Sequence, residues 1–270
     1  MLCLYRRQHG RPKLSNKVKI LGDKIAEARF KRKFLPKISK SLISNPNIAA
    51  QICRHAEMEL LWNPIGFKAG ATNKSMWKKL KAKKPFFSYL YEESTYKNKG
   101  KMPFQSNLIG AELEVAFKIK NEVFNFNKKI TKSNVSKFII GIAPAIEVVG
   151  FRQKLKAIDC LGRMISDFGL NVGFVTGKLT KYSLKKITSI PTVLTNKTGK
   201  KDYPGNTKIV LGNPINSLIW LLNEIRKNNM ILSFDFWVTT GSSTPIIPIK
   251  KGDLFSGSVK GLGSVSLKIS

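Results

Sequence analysis

The run AELEVAF, residues 111 to 117, sets Glu112 and Glu114 one residue apart in an otherwise apolar stretch of a chain with only 16 acids against 48 Lys and Arg. Residues two apart in a strand project to the same side, so the two carboxylates share one face while Leu113, Val115 and Phe117 take the other. A third acid, Glu147, interrupts the apolar run APAIEVV, where an unpaired carboxylate is costly to bury. Like charges gathered on one face repel unless a cation neutralises them. Oxygen donors without His or Cys suit a hard octahedral ion, Mg²⁺ or Mn²⁺, and such an ion polarises a carbonyl or enolate oxygen as a Lewis acid. The same ExE pattern also fits polar residues on the solvent face of a sheet, paired with lysines. The residues alone leave both readings open.

The rest of the composition narrows the chemistry. His9 and His55 are the only histidines, so a site built on His is disfavoured and any chemistry falls to Lys, carboxylates or hydroxyls. His55 and Glu59 stand one turn apart and read as a partly exposed i, i+4 pair. Cys3, Cys53 and Cys160 are odd in number and far apart, which argues for a reducing, cytoplasmic setting with no disulfide framework. The formal charge of +32 invites a polyanion partner. However, only nine of the 48 basic residues are Arg, and the lysines are scattered rather than gathered in a stripe. That distribution reads as a solvated basic surface more than a nucleic-acid footprint. No apolar run approaches the ~20 residues that span a bilayer. The basic, acid-free start MLCLYRRQHGRPK lacks a secretory h-region and offers only a weak organelle-targeting signal.

These groups need elements to position them. Helices are expected over residues 16–35 and 47–62, the second with Ile48, Ile52, Cys53, Ala56 and Leu60 on one face. A change of texture near residue 64 divides the chain into a helical N-terminal region, 1–64, and a β-rich catalytic domain, 65–270. Strands are expected in AELEVAFKI, FIIGIAPAIEVVGF, NVGFVTG, TKIVLG, FDFWVTTG and GSVSLKIS, the last with Val265, Leu267 and Ile269 on one face. One further helix begins at Asn213 as cap with Pro214 behind it, burying Ile215, Leu218, Ile219, Leu222 and Ile225. YEESTYKNKGKMP and TNKTGKKDYPGN read as exposed connections. The pattern supports the α+β class.

Seven stretches, taken in order, resemble the fumarylacetoacetate hydrolase superfamily, in its 2-keto-4-pentenoate hydratase and 2-oxo-acid decarboxylase branch. They are NPIGFKAGATN, AELEVAF, APAIEVV, GFVTG, VLGNPINSLIWLLNEI, WVTTGSSTP and GLGSVSLKI. The resemblance implies a mixed β-sandwich or rolled sheet beside a smaller helical N-terminal region, in homo-oligomers. It implies that Glu112, Glu114 and Glu147 are ligands of a divalent metal and that Lys68 is the active-site lysine. It also implies that Thr240, Gly241 and Ser242 form a substrate-holding turn and that Arg152 matches an arginine beyond the third ligand. Arg152 reads equally well as a structural ion-pair partner. The implied activity is a metal-dependent lyase on small 2-oxo acids, a hydratase in the first instance. C–C bond hydrolysis or decarboxylation of acylpyruvate-like acids is the alternative, and a basic nucleic-acid or membrane-surface binder on a degenerate scaffold the non-enzyme one.

The chain departs from that pattern at three places. Phe86, in KPFFSYL, stands where characterised hydratases carry an aspartate; Gly150 replaces another; and Phe168 follows Asp167 where their asparagine stands. The expected water-activating carboxylate is therefore missing, with Glu92, Glu93 or Lys68 as substitutes. Asp167 and Asn171 are candidate polar groups of the same stretch, with structural hydrogen bonding the expected role of each.

Overall fold

The computed structural model describes residues 14–35, 37–154, 158–181 and 187–270. The basic N-terminal stretch, with Cys3 and His9, lies outside them, and so does the organelle-targeting expectation placed on it. Three helices come first: α1 (Asn16–Phe30), α2 (Lys40–Ile43) and α3 (Pro46–Leu60). Ser15 caps α1 and Asn45 caps α3, each accepting a backbone N–H of the first turn. Both long helices stop short of the expected ends, because Arg32 (φ 52°) and Leu61 (φ 59°) take left-handed conformations that turn the chain away. After the first turn Leu35 bridges to Gln153.

The remaining elements are β1 (Pro64–Gly70), α4 (Trp77–Leu80), β2 (Phe86–Tyr91), β3 (Thr95–Tyr96), β4 (Gly100–Met102), β5 (Leu108–Ile119), β6 (Ile139–Gly150) and α5 (Leu161–Ser166). They continue with β7 (Asn171–Thr176), β8 (Pro191–Asn196), β9 (Lys201–Asn206), α6 (Pro214–Lys227), β10 (Phe236–Ser242), β11 (Ile247–Pro248), β12 (Leu254–Val259) and β13 (Gly263–Ile269). Two sheets result among the described residues. The larger runs β2-β1-β10-β5-β6-β7-β3, with β11 also on β5; the smaller runs β4-β13-β12-β8-β9. β1 and β10 are parallel, while β5 and β6 form a long antiparallel pair.

One face of β5 and β6 packs on the smaller sheet, where Leu113 lies against Gly257 of β12 and Phe255, Val265 and Leu267 are buried. On the other face Leu90, Ala116, Ala145 and Phe174 make an apolar floor, with Ile65 and Trp237 packed against it. Ile25 of α1 and Ile52 of α3 belong to the same continuous core as Phe67 and Phe117 of the sheet. The helical region therefore has no core separate from the β-rich part. α6 forms where expected, with the Asn213 side chain accepting the Ile215 N–H and Ile215, Leu218, Leu222 and Ile225 buried, but Ile219 is only half-buried and Leu221 is buried instead. Among the described residues no helix is long and apolar enough to cross a membrane.

Three of the expected strands and connections differ. TKIVLG is no strand: Thr207–Ile209 form a 3₁₀ turn, and Leu211 (φ 48°) and Gly212 (φ 77°) break extended geometry. TNKTGKKDYPGN is no loose connection, because β8 and β9 pair through it as a hairpin from Asn196↔Lys201 to Pro191↔Asn206. β9 is an edge strand exposed along much of its length, so it carries no apolar alternation to announce it. YEESTYKNKGKMP likewise contributes the short edge strands β3 and β4.

Arg163 of α5 is fully buried and fastens the helical layer to the sheet. Its guanidinium donates to the Ile38 carbonyl (2.8 Å), to Gln153 Oε1 (2.8 Å) and to Asp159. Arg163→Leu strands the Ile38 carbonyl and Gln153 Oε1 in a dry site, whereas exposed Asp159 regains water, and urea denaturation should show a loss of about 2–4 kcal/mol. A loss below about 0.5 kcal/mol, the range of ordinary surface changes, would disprove this fastening role.

Candidate active site

The antiparallel register of β5 and β6 sets Glu112 directly opposite Glu147, with Glu114 two residues along opposite Ala145. One oxygen from each of the three carboxylates lies within 4.8 Å of the others. β10 lies against β5 on the other side, and its register shifts between Thr239 and Ser242. The shift turns the backbone so that the Gly241 N–H donates to Glu114 Oε2 at 2.9 Å. Gly241 has φ 107°, and a Cβ there would come within 1.8 Å of Thr72 Oγ1, so the position admits only glycine. β1 lies beyond β10, and Lys68 reaches across it to place Nζ 3.0 Å from Glu147 Oε2. A second bond from Nζ to the Gly169 carbonyl, also 3.0 Å, fixes the ammonium.

The Gly169 carbonyl is aimed by an unusual turn: Phe168 (φ 49°), Gly169 (φ 62°) and Leu170 (φ 65°) are all left-handed. Two non-glycine residues held there store strain that the surroundings must offset. Asp167 anchors the turn, its carbonyl accepting the Leu170 N–H at 2.7 Å and its carboxylate ion-paired with Arg152.

Glu114 and Glu147 are each 1% exposed and Lys68 3%, whereas Glu112 is only half-buried and marks the open side. Burial, followed by repulsion from Glu147, pushes the Glu112 carboxyl up to about 7 in spite of Lys68. Burial and then Glu147 and Glu112 push Glu114 well above the usual carboxylate range. Burial works to lower the Lys68 pKa, but attraction to Glu147, Glu112 and Glu114 outweighs it and raises the pKa. Three clustered carboxylates thus face one cation, and buried Glu147 Oε2 has no hydrogen-bond donor apart from its ion pair with Lys68. Such an oxygen-only set, short of positive charge, fits a hard divalent cation held by Glu112, Glu114 and Glu147.

The other residues singled out by sequence fall around this centre in different ways. Arg152 is turned away from the carboxylates: its guanidinium donates to Asp167 Oδ1 (2.5 Å) and to the Asn171 carbonyl (2.6 Å). Thr240 donates its hydroxyl to the Val115 carbonyl (3.0 Å), and Ser242 donates to the Thr244 carbonyl (2.7 Å). Of that turn, Gly241 alone bonds a carboxylate of the cluster. Asn171 makes hydrogen bonds as expected, one of them to the cluster itself, its Nδ2 donating to Glu147 Oε1 at 2.9 Å. Phe86 is buried and its ring centre lies 5.7 Å from Lys68 Nζ. It packs over Gly70, where a Cβ would meet the ring at 2.1 Å, and joins Leu80 and Leu161 in an apolar cluster. Glu93 accepts the Asn63 N–H groups at an exposed position and is not part of the cluster.

Three further polar groups escaped sequence reasoning. Arg29 of α1 donates to both oxygens of Asn171. Ser88 and Thr239, paired in register with Lys68 from β2 and β10, have buried hydroxyls without partners. No local motif marks them; only strand order beside Lys68 could have raised the two hydroxyls as candidates. His55 lies with Glu59 as expected, a carboxylate oxygen of Glu59 coming within 4.8 Å of it, and the packing of α1 on α3 adds Asp23, whose Oδ1 bonds His55 at 2.7 Å.

No family model matches the chain. It is 25% identical over 210 residues to a 2-hydroxyhexa-2,4-dienoate hydratase of Comamonas testosteroni, covering 76% of this chain and 77% of that protein. Its fold superposes with a TM-score of 0.82, at 19% identity, on a 4-oxalocrotonate decarboxylase from Pseudomonas putida G7 solved with magnesium and adipate, covering 96% of this chain and 99% of that one. A fumarylpyruvate hydrolase from Pseudomonas aeruginosa, solved with Mn²⁺ and pyruvate, shares the fold at TM-score 0.52 and 14% identity, over 77% of this chain and 89% of that one. The hydratase relatives and the shared fold are consistent with the resemblance to the fumarylacetoacetate hydrolase superfamily.

Proposed function

We propose that the protein is a metal-dependent lyase acting on small 2-oxo acids, in the first instance a 2-keto-4-pentenoate hydratase-like enzyme. The observation that carries this reading is the convergence of Glu112, Glu114 and Glu147, with Lys68 beside them, on one buried sheet face. Glu112, Glu114 and Glu147 would hold a divalent ion, Mg²⁺ or Mn²⁺ on the donor set, which would supply Lewis-acid positive charge for an anionic 2-oxo acid. The chain's own groups do the rest. Two bonds of Lys68 Nζ orient the ammonium and leave one N–H for the substrate, where it can give up and take back a proton. Gly241 holds Glu114 in place, and Phe86, Leu80 and Leu161 keep water from that flank of the lysine. Thr240 and Ser242 shape the turn around Gly241, and Arg152 braces Asp167 beneath the strained turn. Hydration would add water to the distal alkene carbon of a 2-oxo-4-enoic acid and yield a 4-hydroxy-2-oxo acid. We place the enzyme in the cytoplasm, in keeping with its buried free Cys53, in aromatic-compound catabolism and, by its resemblance, as a homo-oligomer.

A second reading, decarboxylation at the same centre, is favoured by Phe86. An aromatic ring stands beside Lys68 where water activation would call for a carboxylate. Loss of CO₂ from a substrate whose enolate is stabilised needs no activated water. Incubation of the protein and Mg²⁺ or Mn²⁺ with 2-oxo-4-enoic acids and their 6-carboxylated counterparts, followed by mass spectrometry, separates the readings. A gain of 18 Da marks hydration and a loss of 44 Da marks decarboxylation, masses fixed by H₂O and CO₂ themselves. No turnover of either class would sink the proposal.

Two further outcomes follow from the electrostatics. The raised Glu112 and Glu114 carboxyls must lose protons to take a cation, so Mg²⁺ affinity should weaken as pH falls below about 7. Calorimetry in buffers of different ionisation enthalpy should show proton release on binding; affinity indifferent to pH from about 5.5 to 8 would contradict the assignment. Without metal the sign reverses for stability. A folded-state carboxyl pKa above its unfolded value favours folding at low pH, so the metal-free protein should lose stability as pH rises from about 4.5 through about 7. Lys68→Met should abolish turnover, by about 10²-fold or more if Lys68 transfers the proton, while the protein still binds Mg²⁺. Activity within threefold of the wild type would remove Lys68 from the mechanism.

A further inference from the structure

Lys68 pairs with Glu147 Oε2, and among the described residues the side chain that donates to Oε1 is Asn171; an amide can make that contact in only one of its two orientations. With NH₂ toward Glu147 Oε1 it donates; turned over, its oxygen would face a carboxylate oxygen and repel it. Asn171 Nδ2 has only one other acceptor, the Gly173 carbonyl at a long 3.5 Å. What selects the orientation lies on the far side of the amide, in the helical layer. Arg29, 4% exposed near the end of α1, donates from one nitrogen to the Asn171 carbonyl (2.9 Å) and from the other to Asn171 Oδ1 (3.2 Å). A cation on Oδ1 forces the NH₂ group to point the other way, at Glu147.

The surroundings hold the guanidinium for this task. Its carbon lies 4.7 Å from the ring centre of Phe168, 4.9 Å from Trp62 and 5.0 Å from Tyr91, a three-sided aromatic box. Cation–π contacts partly offset the cost of burying the charge. Ser94 Oγ accepts a further bond at 3.3 Å. Arg152 donates to the same Asn171 carbonyl but not to Oδ1, so it fixes the backbone and leaves the amide orientation to Arg29. The box would equally suit a purely structural arginine; the forked grip on both Asn171 oxygens is what a structural role does not require.

We propose that Arg29 is a positioning residue of the metal centre, setting the Asn171 amide so that Glu147 presents its Oε2 to the cation. This rests on the reading of Glu112, Glu114 and Glu147 as metal ligands. Groups that orient metal ligands typically change metal affinity 10- to 100-fold when lost. Arg29→Gln should therefore weaken Mg²⁺ binding, measured by calorimetry at fixed pH, by about tenfold or more. Arg29→Lys keeps the charge but cannot fork onto both oxygens, and should fall between Arg29→Gln and the wild type. Ile25→Ala, one turn earlier on α1 and buried in the core, serves as the packing control: it should lower the melting temperature and leave Mg²⁺ affinity within twofold. If Arg29→Gln does not fold, Arg29→Lys decides the matter, wild-type affinity in that variant overturning the inference. Arg29→Gln affinity within twofold of wild type, or an equal loss in Ile25→Ala, would overturn it as well. A wild-type protein that binds no divalent metal would overturn the reading of the site together with the inference.

Discussion

Three carboxylates packed on one buried sheet face are the constraint around which this molecule is arranged. At an effective dielectric near 20, two like charges about 5 Å apart repel by roughly 3 kcal/mol, and Glu112, Glu114 and Glu147 stand within that reach of one another. Desolvation adds to the cost. A single ammonium, Lys68, cannot relieve all of it, as the elevated Glu112 and Glu114 pKa values record. Clustered groups with pKa values pushed this far are typical of functional sites.

Much of the architecture serves to hold that cluster in place. The long β5–β6 ladder fixes Glu112 against Glu147, and the smaller sheet buries the opposite face so that the pair cannot slip in register. Gly241 and Asn171 each give one N–H to a carboxylate, from β10 on one side and β7 on the other. The left-handed turn at 168–170 turns one carbonyl toward Lys68 and one ring toward two arginines. Because α1 packs into the sheet's core, its Arg29 reaches Asn171, which bonds Glu147.

Legibility in the sequence followed the range of the interactions. Period-two alternation in AELEVAF and in the last strand, and the Asn213-Pro214 start of α6, depend on neighbours along the chain, and each appears where it was expected. The β8–β9 hairpin was missed because an exposed edge strand needs no hydrophobic face, and TKIVLG misled because apolar β-branched residues also fill turns over a core. Lys68 was visible only by resemblance, being one lysine among many. Arg29 had no signal at all, since its partners come from β7 and from the aromatic residues Trp62, Tyr91 and Phe168, far apart in the chain.

By itself the sequence determined that AELEVAF and APAIEVV carry acids into apolar strands, because strand periodicity and the cost of burying charge are local facts. Whether those acids meet, and what meets them, was decided by tertiary structure. Strand order brought β1 and β10 beside β5, which put Lys68 and the Gly241 N–H within bonding distance of the cluster. The docking of α1 drove Arg29 behind Asn171, and packing placed Phe86 against Lys68. Side-chain alternation repeats every two residues and can be read from any window, whereas register, strand order and helix docking are set by contacts between residues far apart in the chain, as Glu112 is from Glu147 and Arg29 from Asn171.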